Sequence, residues 1–81
     1  MIITAEISLY PLSANYTAAI DKFVQRLSGR EQISIEVGDM SSLIRGEYHD
    51  VMRIMEDEVY HVFVEEHAVI QLKMANACDI K

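Results

Sequence analysis

Alternation opens the chain. Ile3, Ala5, Ile7 and Leu9 alternate with Thr4, Glu6, Ser8 and Tyr10 before Pro11 stops the run. A period of two over eight residues predicts a strand with one apolar face and one polar face. The pattern then changes. Tyr16, Ala19, Ile20, Phe23, Val24 and Leu27 recur every three or four residues, which predicts a helix. Ser13, Ala14 and Asn15 precede it as capping candidates, and Gly29 follows where a left-handed cap would end it.

Alternation returns at Ile33, Ile35 and Val37. Gly38-Asp39 supplies turn chemistry, and a third strand is expected from about Met40 to Arg45, closed by Gly46. A second helical stripe runs through Tyr48, Val51, Met52, Met55, Val59, Val62 and Phe63. Within it, Val59 to Val64 is rich in β-branched and aromatic residues, but the longer 3.6 periodicity favours helix. Ala68, Ile70, Leu72 and Met74, alternating with Val69, Gln71 and Lys73, predict a fourth strand. The order is β-α-β-β-α-β, the split βαβ or ferredoxin-like arrangement of the α+β class, in one domain spanning 1–81. The expected sheet order is 4-1-3-2, with both helices on one face.

Such a sheet leaves its other face uncovered. Thr4, Glu6, Ser8 and Tyr10 should lie there, with Ser34, Glu36, Val69, Gln71 and Lys73. For the third strand, placing Ile44 in the core puts Ser41, Leu43 and Arg45 outside. The opposite parity would expose Ser42 and Ile44. This mixed face can be solvated, can pack on a second copy of the chain, or can form the floor of a binding site.

An 81-residue domain buries only roughly 60% of its unfolded surface, so association is a natural source of further stability. A hydrophobic content of 51%, patterned rather than continuous, points the same way. Cys78 is the only cysteine. It excludes an internal disulfide, reads as a spectator in the tail, and suits a reducing cytoplasm. No signal peptide or membrane span is expected. The net charge is −6 and the basic residues are scattered, which argues against nucleic acid and suits a cationic ligand. His49, His61 and His67 lack metal-ligand spacing, no phosphate-cradling glycine loop is visible, and no nucleophile–base pair can be inferred. Neither an enzyme nor a metal or cofactor is expected.

The run Thr4-Ala5-Glu6-Ile7-Ser8-Leu9-Tyr10-Pro11-Leu12 resembles the opening strand of the YkoF-like thiamine-binding family. Gly38-Asp39-Met40-Ser41-Ser42-Leu43-Ile44-Arg45-Gly46-Glu47-Tyr48 is similar to that family's third strand and the start of its second helix. Arg45 stands where the family commonly has an acid. The resemblance implies a ferredoxin-like fold, association through sheets, and non-catalytic binding of thiamine or its hydroxymethylpyrimidine part, as in a carrier. An aminopyrimidine presents a donor beside an acceptor, and carboxylates and hydroxyls read such an edge. Tyr10 or Tyr48 could stack on a ring or lie beside a thiazolium. The expected site is Glu6, Ser8, Tyr10, Ser34, Ser42 and Arg45, on the open face at a homodimer or homotetramer seam. The rivals are a structural or regulatory module that grips a partner without a small ligand, and a small isomerase- or monooxygenase-like enzyme using a dimer cleft.

Overall fold

The computed structural model describes residues 1–77. It contains β1 (Ile2–Pro11), α1 (Tyr16–Ser28), β2 (Ile33–Val37), β3 (Ser42–Glu47), α2 (Tyr48–Glu65) and β4 (Ala68–Ala75). The sheet order is β2-β3-β1-β4 and every neighbouring pair is antiparallel. This is the expected ferredoxin-like sandwich, with β1 and β3 central. Cys78 lies outside the described residues. Among those described, no helix is long and apolar enough to cross a membrane.

The parity of β1 sets the two faces. Ile3, Ala5 and Ile7 are buried beneath the helices, together with Phe23, Leu27, Ile44, Val51, Ile54, Met55 and Val62. Ile44 opposes Ala5, so β3 turns Leu43 and Arg45 to the open face, as expected. The stretch Val59–Val64 is helical. Val62 continues the buried row Val51, Ile54, Met55 and Glu58, and burial along one helical face overrides local β propensity. That row is rotated from the stripe the sequence suggested. Tyr48, Met52 and Phe63 fall on its exposed flank, while Ile54 and Glu58 go inside.

Glu58 is only 3% exposed and is held from α1. Arg26 Nε donates to its Oε1 at 2.7 Å, and Arg30 Nη2 donates to its Oε2 at 2.8 Å. Burial alone would raise the Glu58 carboxyl. The two guanidinium groups more than offset this and hold it below the usual carboxylate value.

Several local expectations need correction. Asn15 is the N-cap of α1 but makes no side-chain cap bond. Ser13 instead donates to Glu66 at 3.2 Å, tying the entry of α1 to the end of α2. Gly29 has φ −83° and is right-handed, because the chain tightens into another turn in which Arg30 N donates to Leu27 O. The β2–β3 connection is a four-residue loop, Gly38–Ser41, closed by Gly38 N donating to Ser41 O at 2.9 Å. A two-residue primed turn needs positive φ, and none of the described residues has it.

Gly46 lies inside β3 rather than closing it. A Cβ there would stand 3.1 Å from the Gln32 carbonyl oxygen and from Ile33 Cγ2, and 3.3 Å from Val51 Cγ2. Val51 is fully buried, so it has little room to yield. Gly46→Val is therefore expected to cost about 1–3 kcal/mol in urea unfolding. Unchanged stability would show that α2 can lift from the sheet here.

Candidate functional site

Register lays out the open face as a grid. One row runs Ser34, Arg45, Thr4 and Ala75; the next runs Glu36, Leu43, Glu6 and Lys73. Further along β1, Ser8 opposes Gln71 and Tyr10 opposes Val69. Five of the six residues expected at the site (Glu6, Ser8, Tyr10, Ser34 and Arg45) therefore share this face. They do not share one position. Arg45 opposes Thr4, six residues from Tyr10, and at roughly 3.3 Å per residue that is about 20 Å. One small molecule cannot span Arg45 and Tyr10.

Glu6 sits between these ends and already has partners. Ser41 Oγ donates to Glu6 Oε2 at 2.9 Å, and Lys73 Nζ lies 3.3 Å from Oε1. The Ser41 hydrogen bond, then the Lys73 hydrogen bond and charge, hold the Glu6 carboxyl below its usual range. A ligand approaching Glu6 must compete with both. Ser34 Oγ bonds locally to the Arg45 carbonyl oxygen at 3.4 Å.

Ser42 is the sixth residue, and its expected place on the open face is corrected. It opposes Ile7 and Val37 on the helix side and is 5% exposed. The reason is parity: a strand with Ile44 in the core must turn Ser42 the same way.

That inward turn places Ser42 in a cleft of about 270 Å³ at the end of the sheet. The cleft exists because β1 outruns β3. Their last pair is Ile7 with Ser42, and Ser8–Pro11 continue paired only to β4. The resulting notch is roofed by Phe23 and Val24 of α1 and bordered by the Gly38–Ser41 loop. Its walls are apolar. Tyr10, Asp39, Ser41 and Ser42 supply polar groups around it. Among the described residues Ser42 makes no side-chain hydrogen bond, so its hydroxyl can donate and accept. The structure thus brings Tyr10 and Ser42 together, with Ser8 and Glu6 along the same strand, and separates Ser34 and Arg45.

Tyr48 lies at the other end, beside the Ile2–Glu47 pair, with its ring edge-on to His49 at 5.1 Å. Asp39 and the apolar roof were not among the expected site residues. No local sequence pattern marks them, because the notch depends on the register by which β1 runs past the end of β3. No group of three or more metal-ligating side chains occurs among the described residues.

Comparison with known proteins follows the fold. A Thermotoga maritima protein provisionally assigned to thiamine biosynthesis or salvage superposes with a TM-score of 0.85 at 20% identity, covering 100% of this chain and 90% of that one. A Streptococcus pneumoniae protein gives 0.86 at 20% identity, over 99% and 93%. A domain of unknown function from Bacillus cereus gives 0.79 at 14% identity, over 98% and 79%. At these identities the likeness establishes the fold alone. Among curated proteins no sequence relative matches. A sequence model of the YKOF-related family, however, matches residues 2–79, and the chain belongs to that family.

Proposed function

We propose that this chain is a non-catalytic binding protein for thiamine or its hydroxymethylpyrimidine part, with the pyrimidine in the cleft at the end of the sheet. The observation that carries this reading is the Ser42 hydroxyl, without a side-chain hydrogen bond among the described residues, in a cleft whose lining is mostly apolar. About 270 Å³ is at the small end for a ligand pocket, which suits one substituted ring better than a whole cofactor. Phe23 and Val24 offer flat apolar contact. Ser42 can accept from the exocyclic amino group or donate to the adjacent ring nitrogen, and Asp39 at the rim can accept a second amino hydrogen. A thiazolium would then extend toward Tyr10, where cation–π attraction is worth roughly 0.5–2 kcal/mol. The thiamine-related assignment of the Thermotoga maritima fold relative supports the choice of ligand class.

The open face keeps a role in this reading as the place where a second copy packs sheet on sheet, closing the mouth of the cleft. Glu6, Ser8 and Lys73 then line the seam rather than grip the ring. The rival module without a small ligand uses the same face.

Titration calorimetry with thiamine and with hydroxymethylpyrimidine tests the proposal. Heat is expected with at least one of them, weakened about tenfold by Ser42→Ala, the value of one hydrogen bond in an apolar site. Glu6→Gln should bind nearly as wild type. No heat and no thermal shift at millimolar concentrations of either compound would remove the ligand and favour the rival. Normal binding by Ser42→Ala with loss in Glu6→Gln would move the ligand back to the open face.

A further inference from the structure

One border of the cleft is neither strand nor helix. The Gly38–Ser41 loop stands there and carries Asp39 to the rim. Beyond the β2–β3 ladder, a backbone bond from Gly38 N to Ser41 O closes this loop at 2.9 Å. Asp39 is exposed and makes no side-chain hydrogen bond or ion pair among the described residues, and Met40 is exposed as well. Among those residues, one side-chain hydrogen bond ties the loop to the rest of the fold. Ser41 Oγ donates to Glu6 Oε2 at 2.9 Å.

That bond crosses from one face of the sheet to the other side's site. Glu6 lies on the open face and does not line the cleft. It opposes Leu43 on β3, and Ser41 is the diagonal neighbour of Glu6 on the same face. Lys73 opposes Glu6 from β4, with Nζ 3.3 Å from Oε1. Lys73 thus engages one oxygen of the carboxylate and leaves the other to Ser41. The hydrogen bond from Ser41, then the hydrogen bond and charge of Lys73, hold the Glu6 carboxyl below its ordinary value, so at neutral pH it is an anion that only accepts. A charged acceptor strengthens the Ser41 bond. Successive side chains of an extended chain alternate in direction, so a Ser41 held outward sets Ser42 inward, on the cleft wall.

We propose that Glu6 is a positioning residue for the cleft: through Ser41 it sets the loop that brings Asp39 to the rim and Ser42 to the wall, and it does so from the opposite face without touching the ligand. The proposal rests on the reading of the cleft as the site for thiamine or hydroxymethylpyrimidine. A loop already set in place spares the ligand the cost of ordering it. The shape of an apolar cleft then depends on a charged pair, Glu6 and Lys73, that the cleft itself does not contain.

Amide hydrogen exchange of the unliganded whole chain, read by NMR, tests the proposal together with titration calorimetry. Ser41→Ala and Glu6→Ala should each speed exchange of the Gly38 amide and weaken binding of thiamine or hydroxymethylpyrimidine by about fivefold, the weight of one hydrogen bond. The double variant should be no worse than either single one, because both remove the same bond. Glu6→Gln should restore both readouts, since its side-chain amide oxygen still accepts from Ser41. The amides of β1 should keep their protection throughout, which separates release of the loop from loosening of the fold. Unchanged Gly38 exchange in Ser41→Ala and Glu6→Ala would overturn the proposal. So would binding that is lost in Glu6→Ala and normal in Ser41→Ala, because Glu6 would then contact the ligand itself. If the wild type gives no heat with either compound, the thiamine reading falls, and the Gly38 amide still decides whether Glu6 holds the loop.

Discussion

Replacing Arg26 and Arg30 together by methionine is expected to destabilise the fold by about 3–5 kcal/mol at neutral pH, the usual consequence of leaving a buried carboxylate without its partners. Glu58 is 3% exposed, and the two guanidinium groups at 2.7 and 2.8 Å satisfy its two oxygens. Outer contacts, Arg26 to Glu65 at 3.8 Å and Arg30 to Asp57 at 3.9 Å, are long and partly exposed and contribute little. In a domain of this size each kcal/mol shifts Tm by roughly 4–8 °C, so the variant should melt more than about 10 °C lower.

The pH dependence separates this effect from lost packing. In the wild type the Glu58 carboxyl is depressed below its ordinary value of 4.5. Its contribution is therefore complete above that value and is lost as pH falls through the depressed one. In the double variant burial acts alone and raises the carboxyl. The deficit is then largest at neutral pH and shrinks as pH falls through the raised value. Urea unfolding at pH 7 and pH 5 should show the gap between the two proteins narrowing. An equal gap at both values would mean that arginine packing, not the buried charge, carries the difference.

Phe23→Ala is expected to cost about 3 kcal/mol, the low end for a buried phenylalanine, because its void opens to the cleft rather than forming a sealed cavity. Phe23 is buried against the sheet while also forming the cleft roof, so one side chain serves core and site. Stability and binding should fall together. Ser42→Ala, by contrast, should lower affinity with little change in the urea midpoint. If Phe23→Ala bound thiamine and hydroxymethylpyrimidine as tightly as wild type, the roof would have no part in binding.

The contrast between these variants reflects what could be read from sequence. The period-two pattern of β1 fixed which side chains face the helices, and Ile3, Ala5 and Ile7 are buried as that pattern requires. Periodicity also identified α2 against its own local β propensity. It did not identify the buried face of α2, since a stripe with apolar residues on its flank can be rotated by one position. Glu58 was invisible for that reason: a carboxylate reads as exposed until two arginines from another helix stand over it. Ser42 was expected outside although the parity preferred for Ile44 already required it inside. Arg45 and Tyr10 were grouped by face alone, and face says nothing of the roughly 20 Å between them along the sheet.

The sequence by itself determined the element order, the polarity of each strand and the ferredoxin-like class, because these follow from local periodicity and short connections. Only the tertiary structure decided the register. Register makes β1 outrun β3, opens the notch at Ser8–Pro11 beside Ser42 and leaves β4 at the edge of the sheet among the described residues. Such features arise from the relative lengths and offsets of strands distant in the chain, and no local pattern encodes an offset.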